Sequence, residues 1–127
     1  MTTRTATLHA VVLDCPDPRA LAEFYPGLLG WRMTEDSDGW TTLTNPAGGT
    51  LVEFQPDPHF RPPTWPDQER PQMLHLDLGV ADLDTAHREA VALGATPLTE
   101  VKGTRESPWR VYADPAGHPF CLVTGQP

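Results

Sequence analysis

The sequence predicts an α+β domain made of two βαβββ modules in tandem, and three observations carry that reading. In residues 72–95, Leu74, Leu76, Leu78 and Val80 alternate with Met73, His75, Asp77 and Gly79, and the spacing then becomes helical at Leu83, Ala86, Ala90 and Leu93. A similar strand-then-helix pattern runs through residues 8–30. Two turn motifs, Asn45-Pro46-Ala47-Gly48 and Asp114-Pro115-Ala116-Gly117, each stand just before the last apolar run of their half. Internal repetition of this kind outranks most local signals.

The elements follow in order. Residues 1–6 are a polar tail. Residues 7–14 read as a strand with Leu8, Ala10 and Val12 alternating against His9, Val11 and Leu13. Asp17-Pro18 caps and opens a helix whose apolar positions are Leu21, Phe24, Tyr25, Leu28 and Leu29, closed by Gly30. Pro26 inside that run predicts a kink or a last turn in 3₁₀ form, because proline removes a helical hydrogen bond and clashes one turn back. Residues 31–35, 39–44 and 50–55 read as short strands separated by turn clusters. The second half repeats the order: a strand at 72–80, a helix at 83–93 between Asp82 and Gly94, then strands near 96–101, 109–113 and 119–124, with a short tail after them. The modules therefore span 7–55 and 72–124 of a single domain covering 1–127. Matching Leu8-His9 to Leu74-His75 makes the two histidines repeat partners, and assigning the extra residue of the first copy to Gly48-Gly49 makes Glu53 equivalent to Cys121.

Residues 56–71 (PDPHFRPPTWPDQERP) hold six prolines and no apolar period. A connection of this length is a linker, a lid or both, and proline keeps it extended. Trp65 is its lid candidate, since an exposed tryptophan needs a reason.

Composition narrows the function classes. The chain is 39% hydrophobic and carries 17 acidic against 9 basic residues, a net charge of −8. An acidic chain lacks the basic face that neutralises phosphates, which argues against nucleic-acid binding. The charge is compatible with a neutral or cationic small ligand. No apolar run approaches a membrane span and the first residues lack a signal-peptide core, so the expected location is cytoplasmic. Cys15 and Cys121 lie in different halves without CxxC spacing, which argues against a disulfide framework.

At this point the sequence resembles the vicinal oxygen chelate superfamily, the glyoxalase, bleomycin-resistance and extradiol-dioxygenase group. The match covers roughly residues 7–124, and LHAVVLDCPDPRALAEFYPGLLGW, LHLDLGVADLDTAHREAVALGA and DPAGHPFCLV carry it. A PPTWP segment ahead of an HLDL strand is similar to one glyoxalase-like subgroup. The resemblance implies that each module curls into a half-barrel sheet, the two enclosing a cleft. It also implies metal-ligand slots on the first and last strands of each module, which fall on His9, Glu53, His75 and Cys121. The first three match the family pattern; Cys121 departs from it, standing where the pattern has glutamate.

Strand parity agrees with that carry-over, since His75 faces away from the leucine face and His9 does too if the modules fold alike. His9, Glu53 and His75 would suit Zn²⁺, Fe²⁺, Mn²⁺ or Ni²⁺, the metal acting as a Lewis acid on a substrate with adjacent oxygens. Glu53 or a bound water would move protons. Cys121 is a fourth ligand only as a thiolate and otherwise a small buried hydrophobe, so glyoxalase I itself is disfavoured. Trp40, Trp65, Asp77 and Trp109 are the candidate substrate contacts, Asp77 being either a carboxylate that orients a ligand histidine or a residue at the cleft rim. His59, His87 and His118 read as solvated. Three functions stay open: a divalent-metal-dependent lyase, isomerase or dioxygenase; non-catalytic binding of an aromatic or cationic small molecule; and a purely structural or interaction domain, which gives no use for Glu53. A homodimer is expected in each case.

Overall fold

The computed structural model describes residues 5–125, so the outermost parts of both expected tails lie outside the described residues. The fold is mixed α+β with one sheet in each of two compact units that meet in sequence at Phe60 and Arg61.

The first unit holds β1 (Ala10–Cys15), α1 (Phe24–Leu29), β2 (Arg32–Glu35), β3 (Thr41–Thr44) and β4 (Leu51–Pro56) in the sheet order β1-β4-β3-β2. β1 and β4 pair in parallel, whereas β2, β3 and β4 form antiparallel pairs. The core lies on the face carrying Leu13, Cys15, Leu43 and Phe54, which is closed by Leu21, Phe24 and Tyr25. Tyr25 stacks on Phe54 with centroids 5.5 Å apart.

The expected first helix is split. A 3₁₀ turn over Pro18–Leu21, capped by the Asp17 carboxylate, precedes α1. Pro26 explains the break, because it has no N–H for the carbonyl of Ala22 and its ring crowds that carbonyl. The chain starts a new helix at Phe24, which puts Pro26 in a first turn where a missing N–H costs nothing. Gly30, at φ 68°, ends it by donating to the Pro26 carbonyl.

The second unit runs β5 (Leu76–Gly79), α2 (Leu83–Leu93), β6 (Thr96–Pro97), β7 (Lys102–Gly103), β8 (Pro108–Ala113) and β9 (Pro119–Val123). Its sheet order is β5-β9-β8-β6, with β7 also on β8, and β5 again pairs in parallel with the last strand. The Asp82 carboxylate accepts from the Thr85 amide at the start of α2, and Gly94 closes the helix at φ 117°. Leu83, Ala86 and Ala90 of the helix are buried with Tyr112, Phe120 and Leu122 of the sheet. Tyr112 stacks on Phe120 at 5.4 Å, repeating the Tyr25–Phe54 pair.

The two turn motifs form the same bonds. Asn45 and Asp114 each accept from the amide two residues on, at 2.9 Å, and each carbonyl accepts from the glycine amide three residues on, at 2.8 Å. Gly117 is also a packing requirement, since a Cβ there would stand 2.6 Å from Pro62. That approach holds Pro62 against the turn, and further along the proline-rich stretch Arg70 donates to the Pro62 carbonyl while the Thr64 amide donates to the Arg70 carbonyl.

Two strand boundaries and one side chain differ from expectation for identifiable reasons. The strand expected from residue 72 begins at Leu76, where the pairing with β9 begins at Phe120; ahead of that pair Leu74 is half exposed and Met73 almost fully so. The strand expected over 96–101 stops at Pro97. Beyond it Thr99 bonds β8 through its side chain and carbonyl, taking the Val111 amide on its hydroxyl and the Arg110 guanidinium on its carbonyl. His87 is not simply solvated, because its Nδ1 lies 2.7 Å from the hydroxyl of buried Tyr112.

Candidate functional site

Register places the candidate residues. In the second unit Asp77 stands beside Cys121, and Cys121 stands opposite Val111 on β8. One step along, Gly79 pairs with Val123 and Val123 with Trp109. Paired residues share a sheet face, so Asp77, Cys121, Val123 and Trp109 all lie on the face opposite Phe120 and Leu122. His75, two residues before Asp77, joins them by alternation. β7 extends this face, since Lys102 pairs with Trp109 and Gly103 with Pro108.

These residues line a cavity of about 500 Å³, completed by Gly103, Thr104, Ser107, Thr124 and Gly125. His75 Nε2 lies 3.1 Å from Asp77 Oδ1, and the side chains are 38% and 57% exposed. Cys121, only 6% exposed, forms the floor beside Asp77, its sulfur within 4.8 Å of a carboxylate oxygen. Burial is the main reason its thiol is pushed up from 9.0 to about 11, and the Asp77 charge and hydrogen bond add to it. Cys121 is therefore a neutral thiol beside the carboxylate. One nitrogen, one oxygen and one sulfur, each on a different side chain, lie within 4.8 Å of one another, which makes His75, Asp77 and Cys121 a possible metal-binding triad among the described residues.

The first unit carries a smaller cavity of about 270 Å³ lined by Asp36, Ser37, Asp38, Trp40 and Glu53. The Thr42 hydroxyl lies between two of its carboxylates, 2.5 Å from Asp36 and 3.3 Å from Glu53, and its single proton serves the nearer one.

The structure thus brings His75, Asp77, Cys121 and Trp109 together, and separately groups Glu53 with Trp40. Trp65 is half-buried and does not line the larger cavity. The expected equivalence of His9 and His75 does not hold. Val12 pairs with Glu53 as Asp77 pairs with Cys121, so with Glu53 and Cys121 as counterparts it is Ala10, not His9, that matches His75. The helix caps agree, Asp17 following Val12 by five residues and Asp82 following Asp77 by five. By alternation His9 falls on the side of Val11, Leu13 and Cys15, opposite to Val12 and Glu53. Its carbonyl extends the parallel ladder by accepting from the Leu51 amide at 3.0 Å, and its side chain is exposed. Sequence reasoning missed the wall formed by Gly103, Thr104 and Ser107; its available signal was the polar turn cluster between two short strands.

The profile of the glyoxalase-like domain family matches residues 10–123. The anthracycline biosynthesis protein DnrV of Streptomyces peucetius is 31% identical over 122 residues, which cover 87% of this chain and 44% of that protein. The chain therefore spans less than half the length of that relative. Among solved structures, a glyoxalase/bleomycin resistance protein/dioxygenase family enzyme from Burkholderia phytofirmans PsJN superposes with a TM-score of 0.73 at 19% identity, over 95% of this chain and 100% of the other. A glyoxalase/dioxygenase from Nostoc punctiforme gives 0.70 at 18% identity, over 100% and 99%. At such identities these two establish the shared fold.

The raised Cys121 pKa predicts an alkaline instability of defined sign. Above pH 9 the unfolded thiol loses its proton while the folded one keeps it, so stability falls as pH rises from 9.0 towards about 11, by at most about 3 kcal/mol. Urea unfolding across that range should show a shallower fall for Cys121→Ala than for the parent chain. Parallel curves contradict the burial-driven shift.

Proposed function

The chain belongs to the family of glyoxalase-like domains, and we propose that the larger cavity of its second unit binds an oxygenated, polycyclic aromatic small molecule. The observation that carries this reading is the adjacency of two rows on one sheet face: Trp109 with Val123, an apolar wall, beside Cys121 with Asp77 and His75, a polar end. A cavity of about 500 Å³ with an aromatic wall and a few convergent polar groups is the usual form of a small-molecule site. The similarity to a protein of anthracycline biosynthesis supports the same ligand class, because anthracyclines are flat, polycyclic and rich in phenol and quinone oxygens.

Each group has a definite part in this reading. Trp109, 37% exposed, offers its indole to a flat ring system. His75 and Asp77 are exposed enough to meet ligand oxygens and hydroxyls, while the Cys121 thiol holds Asp77 from below. Thr104 and Ser107 add hydroxyl-bearing side chains elsewhere in the cavity lining. The net charge of −8 favours a neutral or cationic ligand over an anionic one. Fluorescence titration with doxorubicin, a cationic anthracycline, checks the reading. Trp109→Ala should weaken binding about tenfold, whereas Trp40→Ala should leave it unchanged. The reverse pattern, or no binding by the parent chain, contradicts it.

A second reading rests on the His75–Asp77–Cys121 triad. A nitrogen, an oxygen and a sulfur donor together suit a borderline cation such as Zn²⁺. The set fits such an ion on one condition, that the cation expels the proton that burial and Asp77 keep on Cys121. When bound, a divalent cation supplies Lewis-acid stabilisation to a ligand with adjacent oxygens. Titration with Co²⁺ should produce a thiolate-to-metal absorption band that disappears in Cys121→Ala and weakens in His75→Ala. An absent band overturns this reading. Metal binding lost instead in His9→Ala and Glu53→Ala assigns the metal to the ligand set implied by the family resemblance.

A further inference from the structure

We propose that Gly103 is the positioning residue that sets the Trp109 wall, and through it the selectivity of the cavity for flat ligands. The inference rests on the reading of this cavity as a small-molecule site. Gly103 is the second residue of the two-residue strand β7 and pairs with Pro108, immediately before Trp109. Its φ of +84° lies in the region that favours glycine. A Cβ at this position would stand 2.7 Å from Trp109 Cδ1, 3.0 Å from Trp109 Nε1 and 2.5 Å from the Ser107 carbonyl oxygen. The indole therefore lies directly against the side of Gly103 that a side chain would fill.

Gly125 bounds the same feature. A Cβ there would stand 2.7 Å from Ser107 Oγ. Ser107 is thus held between two glycines, with its carbonyl towards one and its hydroxyl towards the other. Its amide donates to the Thr104 hydroxyl at 3.1 Å and lies 3.2 Å from the Thr104 carbonyl, which fixes the loop between β7 and β8. The hydroxyl of Thr124 closes the far edge by donating to the Pro108 carbonyl at 2.7 Å. A Cβ at residue 103 meets the Ser107 carbonyl oxygen first and the indole next, so filling that space moves the loop backbone and with it the indole. A side chain at 103 displaces it from Gly103 and changes the flat wall that it presents to the cavity.

The test uses the full chain, doxorubicin as the probe, and the variants Gly103→Ala, Trp109→Ala and the double variant. Gly103→Ala should weaken binding about tenfold, as Trp109→Ala does, and the double variant should bind no more weakly than either single one. Losses that add, or unchanged affinity in Gly103→Ala, overturn the proposal. Emission from Trp109 without ligand, isolated by difference from the matching Trp109→Phe chain, gives a reading independent of binding. It should shift in Gly103→Ala; an unchanged spectrum overturns the positioning role even if the cavity binds the probe. A shift combined with no binding by the parent chain supports the positioning of Trp109 and removes the small-molecule reading instead. Should Gly103→Ala fail to fold, recovery of folding in the double variant supports the contact with the indole. Failure of both places the requirement in the hairpin backbone and overturns the proposal.

Discussion

Parallel pairing between the first and last strand of each unit is the constraint on which the rest of the structure depends. A parallel pair cannot be closed by a tight turn, so the chain must cross over, and in both units it does so through a helix and further strands. The register of that pair then decides what each sheet face carries, because a shift of one residue exchanges the faces. In the second unit the pairing of Asp77 with Cys121 sends Phe120 and Leu122 to the helix side and gathers the polar groups on the other. In the first unit the corresponding pair is Val12 with Glu53, and the same rule separates Glu53 from the side of Leu13 and Phe54.

The chemistry of the second unit's site follows from depth across one row. Asp77 is more than half exposed and Cys121 almost fully buried, though they are neighbours in the ladder. Water solvates the carboxylate and not the sulfur, so the proton stays on sulfur and the row does not hold two adjacent anions. His75 meets the same carboxylate from the exposed side. Asp77 is therefore shared by both partners, and any ligand or cation entering here competes for it. Beyond this row the wall is apolar and set by backbone, with glycine at two places where a side chain has no room.

Much of the fold was legible in the sequence because its signals are local. The caps at Asp17 and Asp82, the terminating Gly30 and Gly94, and the paired Asn45 and Asp114 turns each depend on a few neighbouring residues and appear as read. What escaped depends on partners distant in the chain. The histidine pairing failed because Leu-His occurs in both halves one residue out of step with the caps, and only the β1–β4 and β5–β9 registers fix the phase. Asp77 was legible as a residue on the His75 face, but its junction role required knowing that Cys121 lies beside it. The Gly103–Ser107 wall escaped for the same reason, since a glycine in a polar turn cluster shows its purpose only when the indole across the hairpin is in place.

The face proposed to recognise the ligand is built on the Asp77–Cys121 and Trp109–Val123 pairs. Amide chemical-shift mapping of the full chain during titration with doxorubicin tests that role most directly. The largest shifts should fall on Asp77, Gly103, Trp109, Cys121 and Val123, with α2 little changed. Shifts concentrated on Trp40, Thr42 and Glu53, or spread evenly over the chain, would contradict it.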